Sequence, residues 1–289
     1  MEQKKYAVFT MDVERFSDTE CIYSSGIQVN VDLMDGLDEY LSILDKYHIK
    51  STLFTVGELA PRIADRLRSY IHRGHQIALH SYSHVAPITV PLEQFREKIR
   101  HAKQRMQELL HVDVVGFRAP CFSMDKDHLN VLKELGFLYD SSFLDFQPAR
   151  HTVKWDLQNF KQLRENIFHL DNFYEFGLSR EKVLGLPFPI SGGGYVRLSN
   201  WGFVKTLIQH YIHHNDYYVF YLHPFELTKQ KIPFLKELKS YDKYYIKQGI
   251  QTYSRRIEQI ILMLQKSGYE FVTFEQLVQI MNKEACATV

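Results

Sequence analysis

The 289-residue chain is short of cysteine. It has three, Cys21, Cys121 and Cys286, an odd number at wide spacing and without a CxxC pair. That argues against a disulfide scaffold or a cysteine-ligated zinc module and fits a reducing compartment. It also lacks a charge bias. Thirty-five Lys and Arg against 34 Asp and Glu leave a formal net charge of +1, so no global field recruits nucleic acid, and no nucleic-acid partner is expected. No apolar run approaches the roughly 20 residues of a membrane span. The polar Glu2-Gln3-Lys4-Lys5 and the about eight strand-like residues before Asp12 make neither a signal-peptide h-region nor a small-residue cleavage site. The expected location is the cytoplasm, in solution or peripheral at the inner face of the membrane. Internal repeats, low-complexity tracts and a convincing linker are missing too, which leaves one domain over residues 1–289 as the simplest organisation. Nothing in the sequence fixes the oligomeric state.

What is present is ordinary in bulk. Apolar residues are 45% and charged residues 24%, as in a soluble globular protein. Strand-like and helix-like patterns alternate. Strands are predicted at 5–11, 51–57, 75–81, 113–120, 137–142, 216–224 and 269–274. Helices are predicted at 33–49, 58–74, 91–110, 126–136, about 200–214 and about 250–267, with one more at the end. Repeated βα units imply an α/β fold with a parallel sheet under helices, and seven or eight of them imply a closed TIM-like barrel. Residues from about 143 to 184 break the rhythm and read as an irregular, aromatic-rich insert.

The first strand ends in "FTMDVERF". If it persists to Glu14, then Asp12 and Glu14 share a face while Met11 and Val13 point away. Two carboxylates that close need a cation, a shared proton or water. Other strand ends are polar as well: His80 and His84, Arg118, Asp140 and His223. Barrels of this kind place catalytic groups at the carboxyl ends of their strands. His80 and His84 would face one way if Ser81–His84 made one helical turn. Imidazole with carboxylate is a common Zn²⁺ ligand set; Fe²⁺ oxygenases use a similar set, though not on a βα barrel. Each residue also has a plainer reading: Arg118 as a structural ion pair, His223 as a hydrogen-bonded core histidine, Asp140 as a turn cap through Ser141 and Ser142. The Gly-rich "SGGGYVRL" (191–198) is no P-loop, since no Lys-Ser/Thr follows. Its glycines would permit a tight turn or close backbone approach to a ligand, with Tyr195 and Arg197 then able to contact a sugar or a phosphate.

Taken in order, "TMDVE", "HSYSH", "FRAPCFS", "YDSS" and "YLHP" resemble the five motifs of the polysaccharide deacetylase family, the NodB-homology or carbohydrate esterase 4 group. "RGHQIALHSYSH" is similar to the second motif with its usual leader, and the resemblance covers about residues 5–280. "FPISGGGYVRL" and "YLHPFE" resemble the subgroup associated with exosortase and surface-polysaccharide gene clusters. The fold implied is a distorted (β/α)7 barrel. The activity implied is metal-dependent removal of an N-acetyl group from an amino sugar, on a polysaccharide or on a nucleotide- or lipid-linked glycan precursor. A sugar deformylase, an allantoinase-like amidohydrolase and a non-catalytic glycan-binding module are the alternatives on the same fold. By the resemblance, Asp12 is the catalytic base, Arg118 orients it, His223 is the general acid and Asp140 holds His223 or lies near it. Glu14, His80 and His84 bind a divalent metal, Zn²⁺ first, with Co²⁺, Ni²⁺ or Fe²⁺ as alternatives. Pro120, Cys121 and Phe122, with Tyr195 and Arg197, contact the substrate, and a backbone N–H near Cys121 helps hold the oxyanion. Two departures stand out: the first motif is Asp-x-Glu where most members have adjacent aspartates, and the fourth lacks the usual Trp.

Overall fold

The structure, a computed structural model, describes residues 4–144, 157–233 and 235–287. From the N-terminus it runs through β1 (Lys5–Val13), a short α1 (Glu20–Tyr23), α2 (Asp35–Lys46), β2 (Ser51–Thr55), α3 (Ala64–His72), β3 (Gln76–Leu79), α4 (Leu92–Leu110), β4 (Gly116–Phe117), α5 (Lys126–Glu134) and β5 (Tyr139–Asp140). Helical spacing does what it predicts: Leu37, Tyr40, Leu41 and Leu44 of α2 are all buried, and so are Phe95, Ile99, Ala102, Met106 and Leu110 of α4. Helix α4 follows Pro91, which cannot donate into a helix, and stops at His111 in the left-handed conformation (φ 55°).

The second half departs from the prediction. The stretch read as an irregular insert contains β6 (Lys161–Arg164), β7 (Ile167–Leu170), β8 (Phe173–Phe176) and β9 (Arg180–Val183); the part of it at residues 145–156 lies outside the described residues. Strand β8 pairs in parallel with β5 and is a full member of the barrel. Its four residues are buried on both faces, and one of them is Glu175. A strand this short, with a charge in the middle, shows neither alternation nor an unbroken apolar run. After it come β10 (Leu186–Pro189), α6 (Gly193–Leu198), α7 (Trp201–His214), β11 (Tyr217–Leu222), α8 (Ser240–Lys247), α9 (Ile250–Lys266), β12 (Tyr269–Phe271) and α10 (Phe274–Ala287).

Seven strands make the parallel wall, in the order β11, β1, β2, β3, β4, β5, β8. Strand β12 adds to β1 below the start of β2, and β7 and β6 continue antiparallel beyond β8. The gap between β8 and β11 is closed by single links rather than a ladder. Ile190 N–H donates to the Ser179 carbonyl (3.2 Å), Tyr221 N–H to the Ser191 carbonyl (2.7 Å), and Gly192 bridges Tyr221. This seam is what makes the α/β barrel a distorted (β/α)7 one. It depends on Gly192, whose φ of 120° suits glycine alone and whose missing Cβ would lie 2.1 Å from the Tyr221 carbonyl oxygen. Gly192→Ala is expected to cost about 3 kcal/mol from combined strain and overpacking, read as a drop in the midpoint of urea unfolding.

Alternation along β1 sorts the core. Ala7, Phe9, Met11 and Val13 join the cluster under the helices, whereas Tyr6 and Val8 join Phe54, Tyr139, Tyr217 and Val219 inside the barrel. Phe274, Leu277, Val278 and Met281 of α10 belong to this inner cluster and plug the bottom. The face that carries Tyr6 and Val8 continues upward to Thr10, Asp12 and Glu14, so the barrel is apolar below and polar at the mouth. Among the described residues no helix is long and apolar enough to cross a membrane.

Candidate active site

Asp12 and Glu14 both lie at the top of the barrel and are nearly fully buried, at 1% and 3% exposure. Arg118, fully buried at the end of β4, holds the first of them. Its Nη1 donates to Asp12 Oδ1 and to Thr10 Oγ1, each at 2.8 Å. Its Nε donates to the Ser141 carbonyl and its Nη2 to Ser141 Oγ, each at 3.0 Å. The guanidinium lies over the Phe54 ring, 4.1 Å from its centre. A charge without water must be paired and hydrogen-bonded on all sides, and Arg118 is.

Glu14 faces the two histidines. His84 Nε2 is 2.7 Å and His80 Nε2 3.8 Å from Glu14 Oε2, and a ligand atom from each of the three residues lies within 4.8 Å of the others. The turn that brings the imidazoles together is not the helical one expected. Ser81 takes a left-handed conformation (φ 61°), and residues 82–85 bend without forming a helix. Gly57 N–H and Glu58 N–H fasten this loop by donating to the Ser81 and Tyr82 carbonyls. His80 Nδ1 is 2.8 Å from the Arg118 carbonyl; a carbonyl only accepts, so Nδ1 carries the proton and Nε2 is left as a ligand atom. Burial pushes the Glu14 carboxyl up, but the charges of His84 and His223 and its contacts with His80 and His84 outweigh this and hold it far below the usual carboxylate range. Among the described residues Glu14 Oε2 is buried with no directed hydrogen bond. Two imidazole nitrogens and an anionic oxygen converging at the barrel mouth fit a divalent cation.

His223 follows β11, and its carboxylate partner is Glu226. His223 Nδ1 is 3.1 Å from Glu226 Oε2, and the His223 backbone N–H donates to the same oxygen at 3.0 Å. Pro224 opens the 3₁₀ turn Pro224–Leu227, and Glu226 at its third position closes a capping box. Burial alone would lower the His223 pKa; the charges of Glu14 and Glu226 and the Glu226 hydrogen bond raise it to about 9.

The remaining site residues divide. Asp140 does not hold His223: its carboxyl accepts from Ser142 Oγ (2.8 Å) and contacts Glu175, because Asp140 follows Tyr139 on the face turned away from the barrel interior. Arg197 is buried, its Nε donating to Glu226 Oε1 at 2.7 Å and its Nη1 bonded to the Gln248 carbonyl. It braces the partner of His223 rather than lining the surface. The glycines of "SGGG" serve packing: Cβ atoms at Gly193 and Gly194 would press on Tyr221 and Tyr245. Tyr195 is half-buried. Pro120, Cys121 and Phe122 form a tight turn beside the mouth, with Cys121 and Phe122 both left-handed (φ 55° and 53°). The Phe122 ring packs edge-on against Tyr221, 5.1 Å between centres, and Tyr221 against His223 at 5.8 Å. Burial pushes the Cys121 thiol up to about 12, so it stays neutral and is no nucleophile.

Comparison with known proteins gives this geometry a context. Residues 30–139 match the polysaccharide deacetylase family, and residues 148–279 match a domain of unknown function, DUF3473. The first match includes His80, His84 and Arg118 and begins after Asp12 and Glu14. The peptidoglycan deacetylase of Helicobacter pylori is 26% identical over 39% of this chain and 39% of its own length. The peptidoglycan deacetylase-like protein FGM2 of Gibberella zeae is 31% identical over 42% of this chain and 35% of its own. The chain thus spans under two fifths of the length of these relatives. Among solved structures, the Xyl-CE4 domain of a xylanase from a Trinervitermes trinervoides hindgut metagenome superposes with a TM-score of 0.53 at 14% identity, over 97% of this chain and 92% of that one. A Bacillus anthracis protein described as a CE4 family pseudoenzyme superposes at 0.55 and 11% identity, over 96% of this chain and 66% of that one. Residues 30–139 thus carry a segment of the polysaccharide deacetylase family, and the barrel built around it has the fold of the Xyl-CE4 domain.

Proposed function

We propose that the chain is a divalent-metal-dependent hydrolase that removes the N-acetyl group from an amino sugar of a polysaccharide or glycan precursor. The observation that carries this is the meeting, at one barrel mouth, of three units: Glu14 with His80 and His84, Asp12 gripped by Arg118, and His223 gripped by Glu226. A cation held by Glu14, His80 and His84, with Zn²⁺ favoured by the nitrogen-rich set, would supply Lewis acidity for the acyl carbonyl and for water. The chain supplies the proton traffic. Asp12, fixed by Arg118, takes the proton of the attacking water. His223, kept protonated by Glu226, returns one to the leaving amine. The turn at 120–123 offers an oxyanion donor. Pro120 has no N–H, and those of Phe122 and Ser123 donate to the Ala119 and Pro120 carbonyls, which leaves the N–H of Cys121 to meet a developing negative charge. The names of the H. pylori and G. zeae relatives support an N-acetylated glycan as substrate.

The test is acetate release. Purified protein loaded with Zn²⁺ or Co²⁺ should liberate acetate from at least one member of a panel of N-acetylated oligosaccharides and nucleotide- and lipid-linked acetamido sugars, and EDTA should abolish it. Loaded protein that releases nothing from the whole panel would contradict the reading.

A further inference from the structure

The carboxyls of Asp140 and Glu175 have no part in that chemistry, yet both are fully buried. They are register partners on the adjacent parallel strands β5 and β8 and interact directly. Each has one oxygen engaged by donors. Glu175 Oε1 accepts from the Ser142 and Phe143 backbone N–H groups at 3.0 and 2.9 Å; Asp140 Oδ1 accepts from Ser142 Oγ at 2.8 Å. The other two, Asp140 Oδ2 and Glu175 Oε2, meet no donor among the described residues. Two adjacent ionised carboxylates in a dry site repel one another, whereas one proton between the orphan oxygens turns the clash into a strong hydrogen bond.

This pair fastens the turn at 141–143 from outside the barrel. Ser142 Oγ, which donates to Asp140, accepts the Ala119 backbone N–H at 2.8 Å. Ser141 points the other way, inward, where its carbonyl and its Oγ receive two of the Arg118 donors and its own hydroxyl donates to the Phe176 carbonyl at 2.9 Å. Arg118 in turn holds Asp12. We propose that Glu175 is a positioning residue for the Asp12 base: sharing one proton with Asp140, it sets the 141–143 turn that aims Arg118. The assignment rests on Asp12 acting as the base, as argued above.

A shared proton makes a specific demand on substitution. Glu175→Gln mimics the protonated acid, because its carbonyl can keep the two backbone donors while its NH₂ donates to an ionised Asp140. Asp140→Asn can substitute by the same logic from the other side. With both changed, two NH₂ groups face each other and the link fails. We expect each single amide variant to keep kcat within about threefold of the parent. The double variant should lose about tenfold or more in kcat with KM nearly unchanged and the bound metal retained, as for a misaimed base. Parallel infrared spectra of the parent at neutral pH should show a protonated-carboxyl C=O band that disappears in Glu175→Gln. A single amide variant as impaired as the double, a double variant with full kcat, or a parent without the carboxyl band would each overturn the proposal. The infrared arm needs no turnover. A parent that shows the band yet releases no acetate would fault the deacetylase reading and leave the shared proton standing.

Discussion

Asp12→Asn should remove turnover while leaving the metal in place, and Glu14→Ala should do the reverse in order of cause, losing the metal first and activity with it. The two carboxylates are two residues apart on one strand, but their surroundings differ. Asp12 Oδ1 is tied to Arg118 Nη1 at 2.8 Å, and Asp12 has no place in the triad that converges on the cation position. Its amide variant keeps the shape and can still accept from Arg118, so the metal should stay, although leaving the buried Arg118 without its anion costs about 3–5 kcal/mol of stability. What is lost is a base, and general-base catalysis typically contributes about 10²–10⁴-fold; a fall of roughly that size in kcat is expected. Glu14 contributes one of three ligand atoms. Removing it should weaken metal binding by more than the about 10–100-fold typical of losing a mere outer partner of a ligand. It also leaves His80 and His84 without the anion they face. Metal content by atomic emission, measured beside acetate release, separates the cases. If Asp12→Asn loses the metal and Glu14→Ala keeps it, the two roles are reversed.

Much of this site is legible in the sequence because its residues are placed by short-range rules. A strand prolonged to Val13 puts Asp12 and Glu14 on one face by alternation alone, and the prediction that Met11 and Val13 turn away holds. His80 and Arg118 stand directly after apolar runs, so strand ends locate them. His84 has the expected spacing but comes in by another path: its approach depends on a left-handed Ser81, and no residue type advertises that conformation there. Where partner choice is a tertiary matter, the sequence is a poorer guide. Asp140 looks like a mouth residue because it ends a strand, yet one step of alternation turns it to the far face. Arg197 beside three glycines reads as an open binding loop, but the glycines exist to let α6 press on Tyr221 and Tyr245. Glu226 could have been found. Pro at the first turn position and Glu at the third, after His223, is a capping-box pattern. It returns the carboxylate to the very residue that precedes the turn.

Glu226→Gln should move the alkaline limb of the pH–rate profile to lower pH. His223 must be protonated to hand a proton to the leaving amine, so activity falls as pH rises through its pKa. Burial opposes the charged imidazole, and Glu14 and Glu226 together lift the pKa to about 9. A cation bound to Glu14 cancels much of the Glu14 contribution, which leaves Glu226, by charge and by hydrogen bond, as the larger support of the His223 charge, with Asp12 behind it. An opposite charge in contact typically accounts for about 1–3 pK units, so a downward shift of at least about one unit is expected, with kcat approaching the parent's at the acid end. The substitution also strands Arg197, whose Nε now bonds Glu226 Oε1 within a fully buried pair. A buried charge left without its partner costs about 3–5 kcal/mol, so Glu226→Gln should unfold at lower temperature as well. The two effects are independent in their readout. Lost stability scales the amount of active protein at every pH, whereas only a change at His223 moves the midpoint of the limb. A limb that stays in place in folded Glu226→Gln would mean that His223 owes its proton to another group, and that the Glu226–Arg197 pair is there for the fold alone.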